Sequence, residues 1–297
     1  MSYELNGRHL FLFGPGYTGH EVALRVLAAG GSVSATARSG EKAETLQGAG
    51  ITPWIPDQDG NLPSDAFSGV TDLLISAPPA ATGCPAYAAL SALPPENDLF
   101  GKLGWVGYYS SSAVYGNCDG AWIDETQPPA PVGTDAKARL IAEDQWHNFA
   151  ASRETALDIF RIAGIYGPGT RNILTQLRAG TARAIIKPGQ VFNRIHRDDI
   201  VAATLAAMSA AGGIRLTNLA DGNPCPSSEI ALGLARVLDL PPPPKIAFDD
   251  AALPPAAAGF YAENRRLRND ALCNLPGFSL QYPDWHAGYA AIIAQEP

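Results

Sequence analysis

The feature that most constrains this chain is a glycine-rich turn, Gly14-Pro15-Gly16-Tyr17-Thr18-Gly19, wedged between two contrasting segments. Residues 8–13 before it form a short apolar run. After it, Val22, Ala23, Val26 and Leu27 recur at the 3.6-residue period and predict one apolar stripe on a helix, which Gly30 and Gly31 end. The alternation continues: residues 32–37, 51–55, 72–76 and 103–110 read as further strands with helical or loop segments between them. Beyond Pro128, Pro129 and Pro131, the spacing predicts a helix over 135–151 that buries Ala138, Ile141, Ala142, Trp146 and Phe149. Residues 155–162 follow as a sixth strand. Strands alternating with helices imply βαβ units and a parallel sheet covered on both faces, the doubly wound α/β class.

Regularity falls in the second half. Residues 198–211 predict a helix with Ile200, Val201, Thr204, Leu205 and Met208 on one side. Residues 216–219 read as a strand, and 227–238 as a helix aligning Ile230, Leu234, Val237 and Leu238. The Ala- and Pro-rich stretch 249–259 reads as a loop. These patterns divide the chain into a Rossmann-type domain over 1–165 and a smaller α+β lobe over 166–297, with about 194–222 returning to the sheet.

At 297 residues the chain buries a sizeable core without disulfides or metals. Its 21 Lys and Arg against 29 Asp and Glu give a net charge of −8. That balance argues against nucleic acid, whose sequence-independent binding runs on cations neutralising phosphates, and against an anionic membrane surface. No run of about 18 apolar residues spans a bilayer, and the start of the chain is too polar for a secretory signal. Cys84, Cys118, Cys225 and Cys273 form no CxxC and no metal-ligand spacing. Reduced thiols, a cytoplasmic location and no metal are the expectation.

The glycine turn has the G-x-G-x-x-G spacing, directly after a strand and opening a helix. In that context the first glycine permits the tight turn and the second lets backbone approach a pyrophosphate. The third brings helix and strand close, and the helix N-terminus offers free N–H groups to phosphates. Gly14, Gly16, Tyr17, Thr18 and Gly19 are therefore candidate cofactor-binding residues. At the end of the second strand an NAD binder carries an acidic residue for the ribose hydroxyls. Here Ala35-Thr36-Ala37-Arg38-Ser39 offers Arg38 instead, and a guanidinium grips a 2′-phosphate, which favours NADP over NAD. Asp57 is placed to meet the adenine amino group, and Ala77-Pro78-Pro79 to line the ribose and nicotinamide approach.

Four further segments carry a resemblance. They are Tyr109-Ser110-Ser111-Ser112-Ala113-Val114-Tyr115-Gly116, Arg161 with Tyr166-Gly167-Pro168-Gly169, Arg194-Ile195-His196-Arg197-Asp198-Asp199, and Asn218-Leu219-Ala220-Asp221. In order, they resemble the SSxxVYG, YGPG, HVDD and NxxD segments of the extended short-chain dehydrogenase/reductases, the NAD-dependent epimerase/dehydratase group. Asn264-Arg265-Arg266-Leu267 and Tyr282-Pro283 resemble the closing segments of an atypical subgroup. The resemblance implies a nicotinamide cofactor and a small-molecule substrate, a sugar nucleotide or small carbonyl compound. It also implies a homodimer through the 135–151 helix, and a pocket where Ser111 hydrogen-bonds the substrate oxygen. Tyr115, Tyr166, Arg194 and His196 are then candidate substrate contacts.

The family's YxxxK pair, a tyrosine acid/base with its lysine, occurs nowhere in this chain. Registered through Ala142-Glu143, the lysine position falls on Arg139 and the tyrosine position on Asp135; registered on Lys137, the tyrosine position falls on Gly133. Asp135 serves as a proton donor at neutral pH only if burial raises its pKa. Two readings follow. One is an NADP-linked oxidoreductase, epimerase or dehydratase with Ser111, Asp135 and Arg139 as unusual catalytic residues. The other is a degenerate reductase that senses NADP(H) and signals through a partner.

Overall fold

Seven parallel strands form the central sheet, and the order in which they line up creates the crevice where a ligand can sit. The computed structural model describes residues 3–169 and 173–296. The first half runs β1 (His9–Phe13), α1 (Tyr17–Ala28), β2 (Ser32–Thr36), α2 (Gly40–Gly48), β3 (Thr52–Trp54), β4 (Asp72–Ile75), α3 (Pro85–Ser91), α4 (Leu99–Lys102), β5 (Trp105–Ser111), β6 (Trp122–Ile123), α5 (Thr134–Arg153) and β7 (Ala156–Ile162). The second runs β8 (Gly164–Tyr166), α6 (Ile173–Arg178), β9 (Ala184–Ile186), β10 (Arg194–His196), α7 (Arg197–Ser209), β11 (Ile214–Leu219), α8 (Ser227–Val237), β12 (Lys245–Ala247), α9 (Pro255–Gly259), β13 (Arg266–Leu267), α10 (Asp270–Cys273) and α11 (Trp285–Ala294). The sheet order is β11-β7-β5-β4-β1-β2-β3, parallel throughout. Connections leave in opposite directions from β1 and β4, so the crevice opens at their carboxyl ends. β8 pairs with β10, β9 with β12 and β6 with β13, each outside the sheet.

Strand periodicity sorts the core into two layers. On β1, Leu10 and Leu12 face the layer formed with Val22 and Val26 of α1 and Ala203 and Met208 of α7. Phe11 and Phe13 face the layer formed with Leu90 of α3 and Ala142 and Trp146 of α5. Both faces of the strand are thus covered, which is why its residues read as an unbroken apolar run. β11 closes one edge against β7, so residues beyond 165 complete the sheet.

Three expectations need correction. Ile141 stands off the buried row of α5 formed by Ala138, Ala142, Trp146 and Phe149, and is exposed. Val237 is exposed at the last residue of α8. The stretch expected as a loop over 249–259 holds a 3-10 turn, Phe248–Asp250, and α9, which starts on prolines that suit a helix's first positions. Among the described residues, no helix is long and apolar enough to cross a membrane.

A buried ion pair ties α5 to the sheet. Arg161 of β7 donates from Nε and Nη2 to Glu143 of α5 at 3.1 and 2.7 Å. The Ser110 hydroxyl donates to the same carboxylate, and the guanidinium lies 4.6 Å from the centre of the Tyr115 ring. Removing one partner of such a pair strands a charge in the core. Glu143→Ala should therefore cost about 3–5 kcal/mol in urea denaturation, and Glu143→Met combined with Arg161→Met should recover most of it. A loss under about 1 kcal/mol for Glu143→Ala would contradict this account of the pair.

Candidate active site

The residues after β1, β2, β4 and β5 share the carboxyl edge of the sheet, and the glycine turn sets their spacing. Gly14 has φ +79°, and a Cβ on it would stand 2.7 Å from the Ala77 nitrogen. A Cβ on Gly19 would stand 3.3 Å from Gly14 O, Leu12 Cδ1 and Ser76 Cβ. The fold itself requires the glycine at 14, while at 19 a side chain would press on its neighbours by a few tenths of an ångström. Gly16 differs: its backbone is extended at φ −81°, and a Cβ there would meet nothing nearer than Gly14 O at 3.9 Å. Nothing among the described residues crowds that position, so a ligand has room to approach the backbone closely. Gly16 also caps α1 without a side-chain hydrogen bond, leaving the cap open to an anion.

Tyr17 donates its hydroxyl to Pro168 O at 2.8 Å, under the Arg197 guanidinium, and joins the turn to the loop after β8. Thr18 is buried. Arg38 is exposed after β2, with no hydrogen bond or ion pair to any described residue. Beside it, Ser39 caps α2 by accepting the Lys42 N–H. Ala77 packs on Gly14, with Pro78 exposed and Pro79 half-buried. Asp57, expected to meet adenine, instead closes its own loop. It accepts N–H bonds from Asn61 at 2.8 Å and Asp59 at 3.0 Å, and these hold its carboxyl below the usual range.

A cavity of about 850 Å³ adjoins this edge, between the ends of β5 and β7 and the second half of the chain. It brings together Ser111, Asp135, Tyr166 and Arg194. Ser111 Oγ accepts the Ala113 N–H at 3.2 Å, which leaves its own proton available to a ligand. Asp135 is exposed at the start of α5, without the burial its donor role requires. Tyr166 stacks on Tyr289, and burial pushes its phenol up. Arg194 Nη1 donates to Phe192 O and Cys225 O at 3.0 and 3.2 Å.

Of the predicted catalytic and substrate-binding residues, three lie outside the cavity lining. Arg139 reaches Tyr109 O at 2.8 Å and pins α5 to β5. Tyr115 is fully buried, donating to Asn218 Oδ1 at 2.8 Å, so its role is packing. His196 caps α7, its Nδ1 accepting the Asp198 N–H at 3.2 Å. Burial pushes its pKa down to about 4, and its ring sits against Tyr166 and Tyr282 rather than a ligand. Conversely, the cavity takes Asn193, Phe260, Tyr261, Glu263, Arg265 and Tyr289 from the second half. Of these, only the Asn264-Arg265-Arg266-Leu267 segment left a signal in the sequence.

This sheet order, glycine turn and capping lobe define a protein with the fold of NAD-dependent epimerases and dehydratases. MoeE5, solved in complex with UDP-glucose and NAD, superposes with a TM-score of 0.71 at 20% identity, covering 96% of this chain and 97% of that one. A putative NAD-dependent epimerase/dehydratase from Methylobacillus flagellatus gives 0.69 at 26% identity, covering 98% of each. More particularly, the chain belongs to one family with a conserved protein of unknown function from Silicibacter pomeroyi DSS. The two share 38% identity and a TM-score of 0.86, over 97% of this chain and 98% of the other. It is also 26% identical over 281 residues to protein YeeZ of Escherichia coli K12, covering 92% of this chain and 96% of YeeZ. No family model matches the chain.

Behind the Arg194 wall, burial pushes Asp221 up to about 7, although its Oδ1 accepts the Asn223 N–H at 2.9 Å. A carboxyl raised in the folded state opposes folding as it ionises. Its contribution is intact below about pH 4 and is lost as pH rises toward 7. Asp221→Asn, which keeps an acceptor for Asn223, should therefore raise Tm relative to wild type at about pH 8 and change it little at about pH 4. Thermal melts at the two pH values check this; equal shifts at both would contradict it.

Proposed function

We propose that this protein binds a nicotinamide dinucleotide, NADP(H) in preference to NAD(H), and acts in epimerase- or oxidoreductase-type chemistry on a sugar nucleotide or small carbonyl substrate in the cavity. The observation that carries this reading is Gly16, an exposed glycine opening α1, where a Cβ would meet no described atom nearer than 3.9 Å and a ligand's phosphates have room to approach the backbone. Residues 1–165 form the dinucleotide half, and 166–297 cap it. A cytoplasmic location fits the four free cysteines.

Bound there, the cofactor would supply or accept hydride. The chain's own part begins with the N–H groups opening α1, which hold the pyrophosphate. Arg38, free of partners among the described residues, grips the 2′-phosphate, with the start of α2 adding partial positive charge. The Ser111 hydroxyl donates to the substrate oxygen while its Oγ stays fixed by the Ala113 N–H. Asp135 is the exposed carboxylate at the start of α5 that faces the same cavity. Without the tyrosine, general acid–base assistance worth about 10²–10⁴-fold is weakened, so turnover of ordinary reductase substrates should be slow by that order. The same missing tyrosine favours the second reading, an NADP(H)-sensing module.

Calorimetry should show NADP binding at least about tenfold tighter than NAD, with Arg38→Ala abolishing the difference. Equal affinities in wild type would overturn the NADP assignment. Ser111→Ala should remove any slow carbonyl reduction followed at the nicotinamide absorbance band, and Asp135→Asn should lower it only if Asp135 carries the proton. Activity indifferent to Ser111→Ala would place the chemistry elsewhere; tight NADP binding with no turnover would support the sensor.

A further inference from the structure

We infer that the cavity takes a ligand with a flat apolar body, an aryl ketone or aldehyde or the matching alcohol, and discriminates against nucleotide diphosphate sugars. The inference rests on the reading of this cavity as a carbonyl site and narrows its substrate class. At about 850 Å³ the cavity falls in the usual range for small-molecule sites. Its walls carry the rings of Tyr166, Phe192, Phe260, Tyr261 and Tyr289. Phe192 meets Tyr261 edge-on at 5.0 Å, and Tyr166 stacks on Tyr289 at 5.1 Å. These pairs give the cavity an aromatic wall, against which another ring packs favourably.

Two large apolar side chains on this wall lack cover. Phe260 is 72% exposed and Ile165 is 45% exposed, and both line the cavity, one just after α9 and the other on β8. Apolar surface left open inside a concave site is what a ligand's apolar body would bury.

Charge points the same way. Among the described lining residues, Arg194 and Arg265 are matched by Asp135 and Glu263. Arg265 already pairs with Glu263 at 2.6 Å and donates to Gly116 O. Arg194 is held by two carbonyls through Nη1. A diphosphate brings about two negative charges to a site whose described wall carries as many carboxylates as cations, and each uncompensated charge taken out of water is costly. An uncharged aryl carbonyl needs one donor for its oxygen, which Ser111 supplies, while its ring covers Phe260 and Ile165.

Calorimetric titration of the full chain decides this. NADP binding is measured first; 2-acetonaphthone and UDP-glucose are then titrated separately into the NADP-loaded protein, its Phe260→Ser variant and its Ile165→Ser variant. The aryl ketone should bind at least about tenfold tighter than UDP-glucose, and each variant should weaken it about fivefold or more without moving the NADP affinity. Tighter or equal binding of UDP-glucose overturns the inference. So does an absence of ketone binding, or ketone affinity indifferent to both variants. Ketone binding without NADP binding would instead sink the cofactor reading and leave this one standing.

Discussion

The contact on which this structure depends is the one between Gly14 and Ala77. The turn after β1 lies directly on the first residues after β4, at the point where the strand order reverses, and a single methyl group on Gly14 would force them apart. That closeness lets α1 start at the mouth of the crevice. It also puts the open cap at Gly16, the exposed Arg38 after β2 and the Ala77–Pro79 segment along one edge of the sheet. Gly19 extends the same closeness to the helix, where a Cβ would stand 3.3 Å from Gly14 O, Leu12 Cδ1 and Ser76 Cβ.

On the other side of the crevice, polar groups do the positioning. Ser110, Glu143, Arg161, Tyr115 and Asn218 form a buried chain of contacts across β5, α5, β7 and β11. It fixes β5 against α5, so Ser111 at the end of one and Asp135 at the start of the other face the same space. Arg139 reinforces this by holding the Tyr109 carbonyl. Residues that sequence comparison associates with chemistry, Tyr115 and Arg139 among them, here hold the frame rather than touch the ligand space.

The first half of the fold was legible because its signals are local. Period-2 and period-3.6 patterns and a turn with a fixed spacing of glycines depend on a few neighbouring residues, and they located the parallel sheet and its crevice. Ile141 was misplaced because an apolar side chain within a periodic stretch need not stand on the buried row. His196 and Asp57 were misassigned for a different reason. Each is polar and well placed in sequence, but hydrogen bonds to the nearest backbone, Asp198 N–H in one case and Asn61 N–H in the other, commit it locally. The capping wall was illegible because Phe192, Tyr261 and Tyr289 come from three separate elements, and no short-range pattern records that they meet.

The central claim is that the turn at Gly14–Gly19 holds a dinucleotide, and Gly16 separates that claim from a purely structural role. Because a Cβ at Gly16 meets no described atom closer than 3.9 Å, Gly16→Val should still fold, losing about 1 kcal/mol through the poorer N-cap. Titration of NADPH by its fluorescence against wild type and Gly16→Val is the direct measurement. The account predicts saturable binding to wild type and a loss of about a hundredfold or more in the variant, which remains folded at the titration temperature. Equal NADPH affinity in the two proteins, or no binding to wild type, would contradict it.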